Sequence, residues 1–421
     1  MSRATLSESE PASLRSPFGL PPEATFIFLA NASWDSSSRI NCHHIALRVS
    51  EAHRVLFVES IGARTPSLTS GRDLGKVWRR IRSASHGLRR WSPGLAVLSP
   101  LLIPGFGTPV VDLLNARLLE HQIRGAATEW LGDSPVVLWV FTPAFAPVAA
   151  RLNSALRVYQ CVDEHAAYPG VPSDHIKTLE ENLIRHSDIT LTTSRALFES
   201  RSPLGRSVVC LPNVADTAFF ERAMDPDLLV PRDVESFVRP IVGFVGNVSG
   251  YKVDCTLLRN VADRNPTVTF LMIGEIGLGE SSTSIEELRH ANNIHLLGPR
   301  DYADLPSYLK GFDVCMIPFA FTPVTEKSLP MKLFEYMASG RPIVATATRP
   351  LLDYADYCYL GSSEAEFCSA LQRALEEPPL GPRASARVQM ARSHGWRARM
   401  HQIGEILGRA WDTRANLGTV G

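Results

Sequence analysis

Short apolar runs rich in β-branched and aromatic residues recur along the chain. They are TFIFLA (25–30), RVLFVE (54–59), PVVLWVF (135–141), RVYQCVD (157–163), ITLTTS (189–194) and VVCLPN (208–213). Each is continuous rather than alternating, so each must be covered on both faces, as the strands of a parallel sheet are. Helical patterns such as Pro109–Trp130 and Asp174–His186 separate them. The pattern stops over residues 217–239, which are charged and proline-containing, and then restarts with PIVGFVGN (240–247), VTFLMIG (268–274), IHLLG (294–298), VCMIPFA (314–320) and PIVATA (342–347). Two successive sets of βα units predict an α/β chain of two doubly wound domains, joined near 215–238. In such sheets ligands sit beyond the carboxyl ends of the strands, so the cleft between the domains is the natural site.

The boundaries read as a disordered tail over 1–22, a first domain over 23–216, a linker over 217–238, a second domain over 239–383 and a C-terminal segment over 384–421. A length of 421 residues accommodates two or three domains. A formal net charge of zero gives no bias towards nucleic acid. The seven cysteines include no CxxC pair, and Cys161, Cys210 and Cys315 sit in apolar runs, which reads as free thiols in a reducing compartment. Residues 1–20 lack the apolar core of a secretory signal, and SPVVLWVFTPAFAPVAA (134–150) is cut by Pro143 and Pro147 before it is long enough to span a membrane. A cytoplasmic protein is expected, with at most a peripheral membrane contact.

LPMKLFEYMASGRPIVAT (329–346) carries the clearest motif. Pro330 suits a first helical turn, while Gly340 and Pro342 end the helix. The expected helix, from Pro330 to Ser339, opens at the cleft, where free backbone N–H groups favour an anion. Lys332 adds a positive charge and Glu335 lies on the same face three residues on. A diphosphate at Lys332 and a ribose at Glu335 would use the pair, and so would an ordinary surface ion pair. GFVGNVSGYKVDCTLL (243–258) is a second candidate: Gly246 permits close backbone approach, Asn247, Val248 and Ser249 offer N–H groups or a hydroxyl, and Tyr251 and Lys252 reach towards the cleft. IGEIGLGE (273–280), Phe319 and Phe321 fit either a nucleobase wall or plain turn and core positions.

In the first half, VYQCVDEHAAYPG (158–170) ends a buried strand in Asp163, Glu164 and His165. Three ionisable groups at a strand's carboxyl end belong at a cleft, because burying them unpaired is costly. A structural use, with one capping the next segment and another paired to an arginine, fits as well. Cys42, His43 and His44 are adjacent on one predicted helix and so point to different faces, which argues against a metal site. Residues 76–91 are basic and contain two tryptophans; Trp78 and Ile81 set against Arg79, Arg80 and Arg82 fit either a solvated helix or a peripheral membrane surface.

LPMKLFEYMASGRPIVAT resembles the nucleotide-binding segment of GT-B glycosyltransferases of the group 1, family-4-like class. LLGPRDYADLPSYLKGFDVCMIPF (296–319), LPNVADTAFF (211–220) and SHGWRARMHQI (393–403) resemble further segments of that family, the last its helix crossing back to the first domain. Bacterial polysaccharide transferases of the teichuronic-acid and xanthan glucuronosyltransferase types are similar. The resemblance implies a GT-B fold, two Rossmann-like domains facing a cleft, and transfer of a sugar from a nucleotide-sugar donor to a glycan or lipid-linked acceptor, without a bound metal or other cofactor. It implies a donor grip by Gly246, Asn247, Ser249, Lys252, Lys332, Leu333 and Glu335, and an acceptor side at Trp34, Asp35 and Arg39. Asp163 is then the favoured base towards the acceptor hydroxyl, with Glu164 next and His165 a donor to phosphate. One position departs from the pattern: retaining members carry two glutamates, and the place of the first is Lys327, with Glu326 one residue off. A sugar-nucleotide 2-epimerase of the same fold, or a non-catalytic nucleotide-binding homologue, are the alternatives.

Overall fold

The computed structural model describes residues 16, 18–36, 39–61, 87–103, 108–277, 285–379 and 381–418. Trp78, Arg79, Arg80, Ile81 and Arg82, and the end of the 273–280 segment, lie outside them. The first sheet has eight strands: β1 (Thr25–Leu29), β2 (Val55–Val58), β3 (Leu88–Ser92), β4 (Leu95–Leu98), β5 (Val136–Val140), β6 (Leu156–Cys161), β7 (Ile189–Thr192) and β8 (Val208–Cys210). Their order is β3-β4-β2-β1-β5-β6-β7-β8. β1 is central, with Phe26 level with Val55 on one side and Val137 on the other. The second sheet contains β9 (Ile241–Val245), β10 (Thr269–Ile273), β11 (Ile294–Gly298), β12 (Val314–Ile317), β13 (Ile343–Thr346) and β14 (Tyr359–Gly361). Its order is β11-β10-β9-β12-β13-β14, and every pair is parallel. The uninterrupted apolar runs have the expected cause: β1, β2, β9 and β10 are buried at every position, with helices on both faces.

Four expectations about boundaries change. The tail does not extend to residue 22, because Phe18 and Leu20 are buried in the first domain's core, where two apolar side chains outweigh the prolines around them. The expected linker 217–238 belongs to the second domain: helix Thr217–Glu221 and the turn Arg232–Glu235 put Phe220, Ala223 and Val234 into that core. The end of the basic 76–91 segment is not helical. Leu88–Ser92 pairs antiparallel with Leu95–Leu98 as an edge hairpin, around the turn residues Pro93 and Gly94. The helix expected over Pro330–Ser339 spans Lys332–Ala338, and Pro330 and Met331 form its lead-in turn.

The chain crosses between domains twice, and the crossings touch: Ala215 pairs with Gly395, and the Ala215 N–H donates to the His394 carbonyl at 3.3 Å. Helix Pro382–Ser393 packs in the second domain, with Ala391 in its core. Helix Trp396–Gly418 returns to the first domain, where Trp396, Met400, Ile403 and Leu407 are buried. This is the crossing-back helix, and the two crossings run side by side between the domains. All seven cysteines are free. Among the described residues no helix is long and apolar enough to cross a membrane.

Candidate functional site

The carboxyl ends of β9 and β12 meet the helix Lys332–Ala338, which we call α1. Gly246 follows β9 with φ of 148°, and a Cβ there would lie 2.6 Å from Lys332 Nζ. Gly274 follows β10 with φ of 142°, and a Cβ there would lie 2.0 Å from the Gly246 carbonyl oxygen. Conformation favours glycine at both places, and at Gly274 space does too, because the atom a Cβ would strike there is backbone, whereas at Gly246 it is the movable end of a lysine. The two loops are pinned together, the Gly246 N–H donating to the Ile273 carbonyl and the Val248 N–H to that of Glu275, both at 2.8 Å. Those two N–H groups are therefore engaged, and the Gly246 loop serves a ligand by its closeness. Asn247 Nδ2 donates to Ser249 Oγ at 2.6 Å, and Ser249 is fully buried.

Lys332 Nζ lies 4.3 Å from the centroid of the Phe244 ring and 5.1 Å from that of Phe319. Phe319 is thus core that shapes the cation's seat, whereas Phe321 is exposed. No described carboxylate pairs with Lys332, and no described cation pairs with Glu335. Burial, helped by the charge of Lys252, brings Lys332 down to about 7, with Glu335 opposing. Burial pushes Glu335 up to about 7, with Lys332 opposing. One turn of helix thus holds a cation that faces only aromatic rings and a carboxylate without a described counter-charge, each half-buried and each shifted towards its neutral form. Leu333 between them is buried in the second domain's core.

The end of β6 faces this wall. Asp163 accepts from Tyr168 Oη and from Ser328 Oγ, and Lys252 Nζ lies 3.6 Å from it. Burial raises its pKa, but Lys252, Ser328 and Tyr168 outweigh burial and hold it below the usual value. Lys252 also faces the rings of Tyr168 and Tyr251, at 5.9 and 5.7 Å. Glu164 is gripped on both oxygens by Arg201, at 2.8 and 2.9 Å, and its Oε2 also meets Lys327 Nζ at 2.5 Å. Arg201 in turn binds Glu180 at 2.9 Å. Against the cost of burial, these cations hold Glu164 down to about 2. Of the three groups at this strand end, Glu164 is the one committed to an internal ion-pair network. His165 is buried, its ring 5.8 Å from that of Tyr168 and its Nε2 without a partner; burial lowers its pKa.

The loop after β1 behaves differently from the expected acceptor wall. Trp34 is buried, edge-on to Phe57 at 4.9 Å and to Trp91 at 5.7 Å, so it supports the loop from inside. Asp35 pairs with Arg89 at 2.9 Å on the surface. Arg39 lies over the Trp34 ring at 5.4 Å, with a buried Nη1 that has no partner. Next to it, His43 bonds the Ser33 carbonyl at 3.0 Å and His44 stacks on Trp396 at 5.0 Å, and both are buried. No group of three or more metal-ligating side chains occurs among the described residues. Tyr302, stacked on Phe219 at 5.0 Å, feels the charges of Glu335, Asp216, Arg48 and Arg39, which puts it between the two domains' charged groups.

Tyr168, Ser328, Lys327 and Arg201 were missing from the sequence-derived set. Ser328 and Lys327 lie three and four residues before Met331, immediately ahead of the 329–346 motif, and their partners are in the other domain. The segment 327–329 crosses the strand ends of the first domain: Ser194 Oγ donates to the Lys327 carbonyl and Asn213 Nδ2 to that of Leu329. Lys327, at the place of the first family glutamate, thus faces Glu164, and Glu326 has a buried carboxylate oxygen without a partner.

The sequence model of a family described as Glycosyl transferases group 1 matches residues 239–377. A Bacillus subtilis (strain 168) protein named as a teichuronic acid biosynthesis glycosyltransferase, TuaH, is 25% identical over 288 residues, covering 64% of this chain and 71% of that protein. Among solved structures, sucrose-phosphate synthase from Thermosynechococcus elongatus is similar with a TM-score of 0.68 at 15% identity, covering 93% of this chain and 99% of that one. Anabaena HepE in complex with UDP and glucose is similar with a TM-score of 0.62 at 15% identity, covering 91% and 99%.

Proposed function

We propose that the chain, which has the GT-B fold, is a group 1 glycosyltransferase that takes its sugar from a nucleoside-diphosphate donor and transfers it to a hydroxyl of a bacterial polysaccharide or its lipid-linked precursor. The observation that carries this reading is the pair on α1. Lys332 and Glu335 are half-buried without a described counter-charge, Lys332 facing only aromatic rings, beside a loop whose Gly246 has a positive φ. A diphosphate supplies the anion that Lys332 lacks. Ribose hydroxyls supply donors to Glu335. The named HepE complex with UDP and glucose and the named teichuronic acid transferase support the donor class and the polysaccharide setting.

In the transfer, the acceptor oxygen attacks the anomeric carbon, the bond from that carbon to the diphosphate oxygen breaks, and the hydroxyl proton passes to a base. We take Asp163 as that base, because it stands at the strand end across the cleft, 3.6 Å from Lys252. Asp163 is ionised at neutral pH, and the contacts that hold its pKa down also weaken it as a base until Lys252 is drawn away. In this reading Lys252 exchanges its contact with Asp163 for one with the departing diphosphate. Glu164 holds the strand end through Arg201, and His165 stands beside the base. The chemistry asks for no metal ion or other cofactor from the protein. The setting we assign is the cytoplasmic face of the membrane.

Isothermal titration with UDP, GDP and their sugars tests the reading. Binding of one diphosphate family, with nucleoside alone much weaker, is the expected result. Absence of binding by any of them overturns it, whereas binding with no sugar turnover favours the non-catalytic nucleotide-binding homologue, to which Lys327 in place of a glutamate points.

A further inference from the structure

Beside the segment 327–329 the two domains enclose a cavity of about 330 Å³. The first domain supplies Ser194 and Glu199, which follow β7, and Cys210, which ends β8. The second supplies Leu329 and, after β13, Arg349 and Tyr354. The rim is tied across the domains: Glu199 meets Arg349 at 2.5 Å and Arg195 of its own helix at 3.2 Å. None of these side chains belongs to the donor grip or to the strand end at Asp163.

The crossing-back helix sets Arg399 against the same cavity. Its Nη1 donates to the carbonyl of Pro212, a lining residue, and its Nε is buried without a partner. The residue is 8% exposed, and no described carboxylate pairs with it. Burial brings its pKa down to about 10, opposed by Cys210 and Tyr354, which both line the cavity. A guanidinium buried without a counter-charge is costly. Around the cavity stand Arg195, Arg349 and Arg399 against two carboxylates, Glu199 and the exposed Asp353. One positive charge is left over, and the buried arginine is the one without a carboxylate. A ligand with an anionic group supplies what is missing, and the two carboxylates and Tyr354 Oη offer partners to hydroxyls. The volume is at the lower end of small-molecule sites, which suits a monosaccharide and not a nucleotide sugar.

The cavity shares its walls with the donor motif. Tyr354 stands edge-on to Phe334 of α1 at 5.3 Å, and Ser194 Oγ donates to the Lys327 carbonyl. The cavity belongs to the arrangement in which Lys327 pairs with Glu164 and Asp163 holds Lys252. A ligand that fills it favours that arrangement and opposes a diphosphate that needs Lys252.

We propose that this interdomain cavity binds a monosaccharide carrying one anionic group, as an effector that weakens binding of the nucleotide donor. The inference rests on the donor reading for its consequence, though not for the binding itself. Glucose 6-phosphate, glucuronate and neutral glucose are the probes, read by thermal midpoint and calorimetric titration. At least one of the two anions should raise the midpoint saturably, and glucose should not. Arg399→Met should weaken the anion at least about tenfold, as loss of a charged partner does. Arg349→Gln, at an exposed position, should weaken it too and carries the test if Arg399→Met does not fold. Lys332→Ala should keep the anion's affinity. In the wild type, UDP affinity should fall to a limiting value as the anion saturates. Competition without a limit, or loss of the anion in Lys332→Ala, puts the anion at the donor site and overturns the proposal. Equal binding of glucose, binding of neither anion, binding unchanged by both arginine variants, or a UDP affinity that the anion leaves unchanged or raises also overturns it. So does turnover of the probe as an acceptor. Absence of UDP binding in the wild type would sink the assigned transfer reaction and leave the melting result to decide the site.

Discussion

Replacing Glu335 by glutamine should separate what the carboxylate does for a ligand from what it does to the fold. Burial raises this group from 4.5 to about 7, with Lys332 opposing. A carboxyl with a raised pKa binds its proton more tightly in the folded chain than in the unfolded one. The effect on stability is absent below pH 4.5, where both states are protonated. It grows as pH rises, as a loss of stability, and is complete above pH 7. The separation of 7 − 4.5 is 2.5 units, and at about 1.36 kcal/mol per unit it bounds the loss at about 3 kcal/mol. Solvent reaches part of the side chain, and glutamine forfeits the attraction to Lys332. Together these reduce the expected gain to about 1–2 kcal/mol. Glu335→Gln should therefore raise the thermal midpoint at pH 8 by a few degrees and leave it unchanged at pH 4. It should also weaken UDP roughly ten- to hundredfold, since hydrogen bonds to a charged acceptor are worth about 1.5–3 kcal/mol. Differential scanning fluorimetry at both pH values, with calorimetric titration of UDP, measures both arms. A lower midpoint at pH 8, or the same rise at both pH values, would refute the reasoning, because the carboxylate would then be satisfied in the empty protein.

Lys332→Ala should cost far more affinity for UDP than for uridine, and titration of both ligands checks it; equal losses would remove the lysine from the phosphate. Because burial holds Lys332 at about 7 in the empty protein, UDP affinity should decline as pH rises above 7 in the wild type and stay flatter in that variant. Asp163→Asn should slow transfer by about 10²–10⁴ with donor affinity near wild type, as expected for loss of a general base. Glu164→Gln should instead lower the melting temperature, because Arg201 and Lys327 lose a buried partner worth up to about 3–5 kcal/mol. A swap of these two outcomes in rate and melting assays would exchange the roles of the carboxylates.

The strands were legible because an uninterrupted apolar run has few alternatives once it must be buried on both faces. Every run quoted from the sequence is a strand, and the two sheets follow their grouping. The hairpin Leu88–Leu98 was not legible, because Arg89, Arg90 and Trp91 hide an edge strand whose outer side is open to water. Trp34 was misplaced for a related reason. A polar loop after a strand reads as a wall of the cleft, yet the aromatic ring packs against Phe57 and Trp91, which lie far off in sequence.

The strand end Asp163–Glu164 shows where one-domain reasoning stops. Its two carboxylates look equivalent along the chain, and what distinguishes them comes from elsewhere: Arg201 from its own domain, and Lys252, Lys327 and Ser328 from the other. Lys327 was noted as the place where a family glutamate is missing, which is a statement about the second domain alone. In the folded chain the same lysine is a counter-charge for Glu164 at 2.5 Å. A glutamate at 327 would set two carboxylates against each other there, with only Arg201 to hold both. The absent glutamate and the committed Glu164 are therefore one feature seen from two domains. It is this pairing, and neither residue separately, that leaves Asp163 as the strand-end carboxylate facing Lys252 across the cleft.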